Sequence, residues 1–343
     1  MVDQTTKKPL IRAAWLRVAL FGACFALITL LIAIPAVLTL TDVKVADLKA
    51  DLIHTLANQL TGPYLWLMLV LEFVISFVSV WLFRVWVDRR SFSSLGWEID
   101  GYQAEVVTGF FMGPVLLGIT ALLLLLSGHL VWADIVWDPS ALGISLGFMV
   151  LIAFSEETVF RGYILCNLLE SFDKGPAGKG SSGNKGSSDS EGSLGSKWIP
   201  LAISSILFAA FHLTSPGMNT LAFTNLFLAG ILLGLNYTYT RNLWFSIGFH
   251  FSWNFFEGPL LGFRVSGLNM PSLLQVGTKG DQLLTGGEFG LESSVICTAL
   301  LLIGIFILVW AFERKYNTLP ADEPAPEAGT SKESTRGDRG ATA

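Results

Sequence analysis

The chain predicts an all-α, polytopic membrane protein of about eight transmembrane helices, with its working site inside the helix bundle. Three observations carry that expectation. Of 343 residues 52% are hydrophobic and only 14% are charged, a balance too apolar for a soluble domain. Four stretches, 18–41, 106–128, 221–240 and 293–312, carry no charged side chain and reach the roughly 20 residues needed to cross a hydrocarbon core about 30 Å thick. Lys and Arg then alternate between successive connections, as the positive-inside rule requires of a bundle with an even number of spans and both termini in the cytoplasm.

In chain order, the first span, 18–41, follows Lys7, Lys8, Arg12 and Arg17. It outruns the roughly 7 to 15 apolar residues of a signal core and lacks a small-x-small cleavage site, so it reads as a retained helix. The second, 63–83, carries Glu72, and Arg84, Arg89 and Arg90 follow it. The third is 106–128. The fourth, 139–169, holds Glu156, Glu157 and Arg161 and is followed by Lys174, Lys179, Lys185 and Lys197. The fifth, 198–212, ends on His212, and the sixth, 221–240, leads into Arg241. The seventh, 243–256, contains His250, and the eighth, 293–312, is followed by Arg314 and Lys315. Connections on the opposite side are poorer in cations: 129–138 and 213–220 have none, and 257–292 has only Arg264 and Lys279. The segment 42–62 sets Lys44 and Lys49 against three aspartates.

This divides the chain into N-terminal membrane helices (1–83), a core (84–313) and a tail (314–343). Residues 173–196 are dominated by Gly, Ser and Lys and read as a flexible linker, and the Pro-, Glu- and Ala-rich tail reads as disordered. The formal charge of −5 includes acidic tail residues, and no basic patch interleaved with aromatics points to nucleic acid. The partners expected are the lipid bilayer and a membrane-associated peptide or protein. Cys24, Cys166 and Cys297 fall in predicted helices without metal or disulfide spacing and read as packing residues.

Chemistry is therefore sought among polar groups inside helices. Ionisable side chains in hydrocarbon are retained where they pair or line a functional site. Glu156 and Glu157 are consecutive, so on an α-helix they diverge by about 100° and cannot both face one small site. Glu157 and Arg161 are spaced i, i+4 with the acid first, the favourable order for an ion pair. That leaves Glu156 without a local cation and makes it the candidate for catalysis. Phe208 and His212 are again i, i+4, as are His250 and Asn254. His250 and Asn254 share a helix face, where imidazole and carboxamide can aim two donors at one point, the geometry of an oxyanion hole. Glu72 is a lone acid with no spaced partner and reads as structural.

The order Glu-Glu-x-x-x-Arg, Phe-x-x-x-His, His-x-x-x-Asn on separate helices resembles the CPBP family of intramembrane proteases, which includes the Ras-converting CAAX endopeptidases and bacterial Abi relatives. The resemblance spans roughly 84–313, with Glu156, Glu157, Arg161, Phe208, His212, His250 and Asn254 all in place; Thr285 to Glu292 is also similar to bacterial relatives, without an assigned role. The resemblance implies a bacterial cell membrane and an endopeptidase, with CAAX-type C-terminal processing as one form of its activity. Glu156 and His212 would activate water, and His250 and Asn254 would hold the oxyanion. Glu157 and Arg161 would brace the fourth helix, and Phe208 would pack beside His212. A noncatalytic scaffold or bacteriocin-immunity-type protein with the same fold is the alternative.

Glu156, His212 and His250 also match the donor count of a catalytic zinc, three protein ligands and an open position. They come from three helices, without a His-Glu-x-x-His motif, and a ligating Glu156 would leave the general base unfilled. A metal-free, glutamate-activated water is the expectation, with zinc the alternative. Counted from Pro139 and Trp198 at about 1.5 Å per residue, Glu156 and His212 fall at different depths. The fourth helix is therefore expected to enter the hydrocarbon nearer Gly147 and to extend toward Glu170.

Overall fold

The computed structural model describes residues 8–40, 63–172 and 194–317. The linker up to residue 193, the segment 41–62 and the tail beyond 317 lie outside them. Helix α1 is Ala14–Leu40, and α2 is Pro63–Leu82, extended by a π turn over Phe83–Val87. Helix α3 is Gln103–Leu126. Helix α4, Pro139–Glu157, starts where Asp138 accepts from the Ser140 and Ala141 amides and Pro139 takes the first helical position, where its missing N–H is harmless. A π segment over Thr158–Leu165 then joins α4 to α5, Cys166–Phe172. Helices α6 and α7 are Leu194–Phe211 and Thr220–Thr240. Asn219 caps the start of α7, and Arg241 ends it in the left-handed conformation. The Asn242 side chain then accepts from the Trp244 amide and opens α8, Trp244–Phe255. Helix α9, Val295–Asn317, closes the bundle.

The architecture is all-α, as expected, but the helices are unequal. Among the described residues six are long and apolar enough to cross a membrane: Ala14–Ile32, Leu67–Val87, Gln103–Leu126, Pro139–Phe172, Thr220–Thr240 and Val295–Lys315. The fifth and seventh of the eight expected spans are shorter. Only Ser196–Phe211 of α6 is apolar, and α8 has 12 residues, about 18 Å of helix. The tight Arg241 turn and the π turn Phe256–Leu260, which contains Pro259, bound α8. A strand pair with no counterpart in the sequence reading, β1 (Leu130–Ile135) and β2 (Leu274–Thr278), forms an antiparallel ribbon at one end of the bundle.

Short α8 is held by direct backbone contact with α3. A Cβ at Gly109 would run into the Phe245 carbonyl oxygen, and one at Gly113 would lie 2.7 Å from Ser252 Oγ. Two glycines four residues apart let helices approach where any side chain would separate them. Elsewhere, buried charges join α1, α2 and α5. Fully buried Asp88 accepts from Arg17 at 2.9 Å, Arg84 at 3.2 Å and Asn167 at 3.1 Å, and Glu170 accepts from Arg90 at 2.7 Å. The N-terminal helix is thereby tied to the same rod that carries Glu156 and Glu157.

Candidate active site

The seven residues singled out by the three motifs come from α4 with its π extension, α6 with the turn after it, and α8, and the fold gathers them around one point. Glu156 Oε2 lies 3.8 Å from His212 Nε2. His212 Nδ1 is 2.9 Å from the Phe208 carbonyl oxygen, which can only accept, so this nitrogen carries the proton. In its neutral form His212 then turns its Nε2 lone pair toward Glu156. Two acceptors face one another across a gap too long for a direct bond and short enough for one water. Glu156 Oε2 is buried and has no hydrogen-bond partner among the described residues.

Glu157 and Arg161 pair as the spacing predicts, with Nη1 to Oε1 at 2.8 Å, both side chains almost wholly buried. Glu157 also reaches a group that the sequence reading did not connect to it. The same Oε1 is 2.8 Å from His250 Nδ1 on α8. Glu157 is thus not only a brace for the fourth helix; it fixes the ring of His250. With Nδ1–H given to this carboxylate, His250 directs Nε2 away from Glu157, and Nε2 makes no hydrogen bond among the described residues. Phe208 stands between these groups. The Arg161 guanidinium carbon lies 4.4 Å from its ring centroid, and its ring is 5.1 Å from that of His212 and 6.1 Å from that of His250. The phenyl ring therefore fills the space beside both imidazoles and covers the buried cation, an arrangement a guanidinium favours over an aromatic face.

Asn254, one helical turn beyond His250, is buried, and both residues line a cavity of about 30 Å³ bounded also by Phe208, Asn225, Trp253 and Glu292. Sequence reasoning assigned no role to Glu292, because it lies in an irregular segment with no periodic partner. Glu72, read as an isolated acid, lies on α2 within the second span. Among the described residues no group of three His, Cys, Asp or Glu side chains has the spacing of a metal site, and His250 Nδ1 lies 2.8 Å from Glu157 Oε1.

Searches of curated proteins and of solved structures returned no match. Residues 137–256 match a family model described as Rce1-like, Type II CAAX prenyl endopeptidase Rce1-like, and the matched segment contains all seven motif residues. The helices that build this site are therefore the part of the chain similar to the Rce1-like family model, in agreement with the resemblance of the three motifs to the CPBP intramembrane proteases.

Proposed function

We propose that the protein is an intramembrane endopeptidase that hydrolyses peptide bonds of membrane-associated proteins with a water activated by Glu156 and His212, CAAX-type C-terminal processing being one form of that activity. The observation that carries the reading is the pair of acceptors 3.8 Å apart, one a buried carboxylate oxygen without a partner and the other an imidazole lone pair fixed by the Phe208 carbonyl. A water between them donates both hydrogens and turns a lone pair outward. That is the orientation needed for attack on a carbonyl carbon.

The steps follow from the donors and acceptors present. As the water oxygen bonds to the carbonyl carbon, its proton passes to Glu156, and the carbonyl oxygen becomes an oxyanion. Asn254 Nδ2 can donate to it directly. His250 can donate only from Nε2, because Nδ1–H is given to Glu157, and it does so as the imidazolium; the Glu157 carboxylate at 2.8 Å stabilises that charge. When the C–N bond breaks, the proton held by Glu156 goes to the departing amine, so Glu156 ends as it began. Donors aimed at a developing oxyanion in a water-poor site are worth about 2.7 to 4 kcal/mol each. Arg161 neutralises the second carboxylate of the α4 pair, so Glu156 can be charged without two bare anions side by side.

The test is Glu156→Gln, purified into proteoliposomes with membrane-tethered peptides. Size and packing are kept and the base is lost, so cleavage should disappear while the yield of folded protein is unchanged. Unaltered proteolysis by this variant would refute the assignment. A scaffold would show a cellular phenotype indifferent to the substitution. Comparison of membrane-protein C-termini in cells carrying active protein or Glu156→Gln would identify the substrates.

A further inference from the structure

The cavity beyond His250 and Asn254 has the makings of a second polar site. Its volume, about 30 Å³, is room for two waters on the measure by which one water needs about 10 to 15 Å³. Three polar groups border it without protein partners of their own: His250 Nε2, the Asn254 carboxamide and Glu292 Oε1 make no hydrogen bond among the described residues, and the relative exposures of His250, Asn254 and Glu292 are 7%, 6% and 9%. A buried polar group without a partner is destabilising, and an occupant able to donate and to accept removes that penalty at all three. Leucine and phenylalanine side chains, Leu226, Leu233 and Phe249, form its apolar walls.

Glu292 is held there by its surroundings. Its Oε2 accepts from the Ser266 amide at 2.8 Å and from Ser266 Oγ at 2.7 Å. The Asn225 side chain donates to the Glu292 and Ser294 carbonyls, which fixes the backbone on either side. Gly290, at φ 111°, permits the approach, since a Cβ there would meet the Arg264 carbonyl oxygen. Fully buried Glu257 stands beside it.

We propose that this cavity is a water site of the catalytic centre, and that Glu292 is a positioning residue that holds its water against His250 and Asn254. Hydrolysis consumes one water per turnover, and a site walled by apolar side chains needs a store from which the next one is drawn. That role rests on the endopeptidase reading; occupancy of the cavity by water does not.

Radiolytic hydroxyl labelling in lipid nanodiscs, in which bound water oxidises the side chains next to it, tests the two separately. Cys297 lines the cavity and Cys166 does not, and both are buried, so Cys166 is an internal control for a thiol away from the site. Cys297 should be oxidised several-fold more than Cys166 in the wild-type protein. Glu292→Leu should bring it down to the level of Cys166, whereas Glu292→Gln, which keeps an oxygen acceptor, should preserve it. Asn254→Leu removes a water partner from the other side and should lower Cys297 labelling even where Glu292→Leu fails to fold. In peptide cleavage, Glu292→Leu should lower kcat by about tenfold with KM unchanged, and Gln should rescue it. Equal labelling of the two cysteines in wild type, or Cys297 labelling indifferent to Glu292→Leu and Asn254→Leu, would overturn the water site. A wet cavity in a protein that cleaves no peptide would leave the water site standing and remove the endopeptidase reading.

Discussion

Glu157 serves two cationic partners with one oxygen, and replacing it by Gln separates its structural from its chemical work. In the native protein Oε1 is 2.8 Å from both Arg161 Nη1 and His250 Nδ1, with Glu157 fully buried and Arg161 nearly so. Glu157→Gln removes the charge and leaves Arg161 with the Phe208 face and a long 3.4 Å contact to the Gly230 carbonyl. A buried charge stripped of its partner destabilises by about 3 to 5 kcal/mol. Turnover should fall by about two to four orders of magnitude, because His250 loses the anion that fixes its proton and ring. The double substitution Glu157→Gln/Arg161→Met then removes both charges. Stability should return to within about 1 to 2 kcal/mol of wild type, since apolar groups of similar volume replace buried ion pairs at little net loss. Activity should stay low. Unfolding in mixed micelles gives the first quantity and initial rates on a tethered peptide give the second. A double variant that regains full turnover would show that the contact to His250 has no part in catalysis, and a single variant destabilised by less than about 1 kcal/mol would refute the buried-pair reasoning.

Asn254→Ala should reduce kcat by about 10² to 10³ with little change in KM, because its donor acts on charge that develops only in the transition state; steady-state kinetics over a range of substrate concentrations checks this. If water is activated by Glu156 and His212 without a metal, as proposed, preincubation with a strong chelator should leave cleavage unchanged, and inhibition reversed by added zinc would overturn that mechanism. Gly109→Ala should separate α3 from α8 and abolish activity together with stability, since its Cβ has no space beside Phe245. Gly162→Ala, whose Cβ would meet Leu243 Cδ1 at an ordinary 3.5 Å, should be tolerated; thermal stability and cleavage measured in parallel distinguish the two.

What could be read from the sequence divides by the range of the interactions. The i, i+4 pair of Glu157 with Arg161 and the closeness of Phe208 to His212 follow from helical geometry alone, and both are present. The charge-free runs located four of the six long helices, but composition cannot say where a chain turns back. Helices α6 and α8 stop short because a turn after Phe211 and the cap and π turn at either end of α8 intervene. The Gly109-x-x-x-Gly113 spacing in the third span was a legible sign of a close helix contact, though it does not name α8 as the partner. The bond from Glu157 to His250 crosses 93 positions, and no periodicity reaches that far. Glu292 likewise depends on the turn that Gly290 allows and on Asn225 from another helix, neither of which local pattern connects to it.

The adjacency of the two glutamates has a geometric reason. Acids at i and i+4 would stack on one face of α4, share a single dry site and repel each other, forcing one to keep a proton. Consecutive residues diverge by about 100°, so each carboxylate can serve a different neighbour. Glu156 turns toward His212 after α6, and Glu157 turns toward His250 on α8. In the proposed mechanism one helix thereby supplies the proton acceptor for water on one side and the orienting anion for an oxyanion donor on the other. That mechanism requires the substrate carbonyl to lie between the water and the donor, with the two acids serving opposite ends of the same C=O bond. On that reading neither replaces the other: loss of the Glu156 carboxylate leaves the water without its proposed base, and loss of the Glu157 carboxylate leaves His250 Nδ1 and Arg161 without the oxygen they share. Arg161 completes the arrangement by removing one of the two negative charges, which lets the other remain available at the point where a proton must be taken.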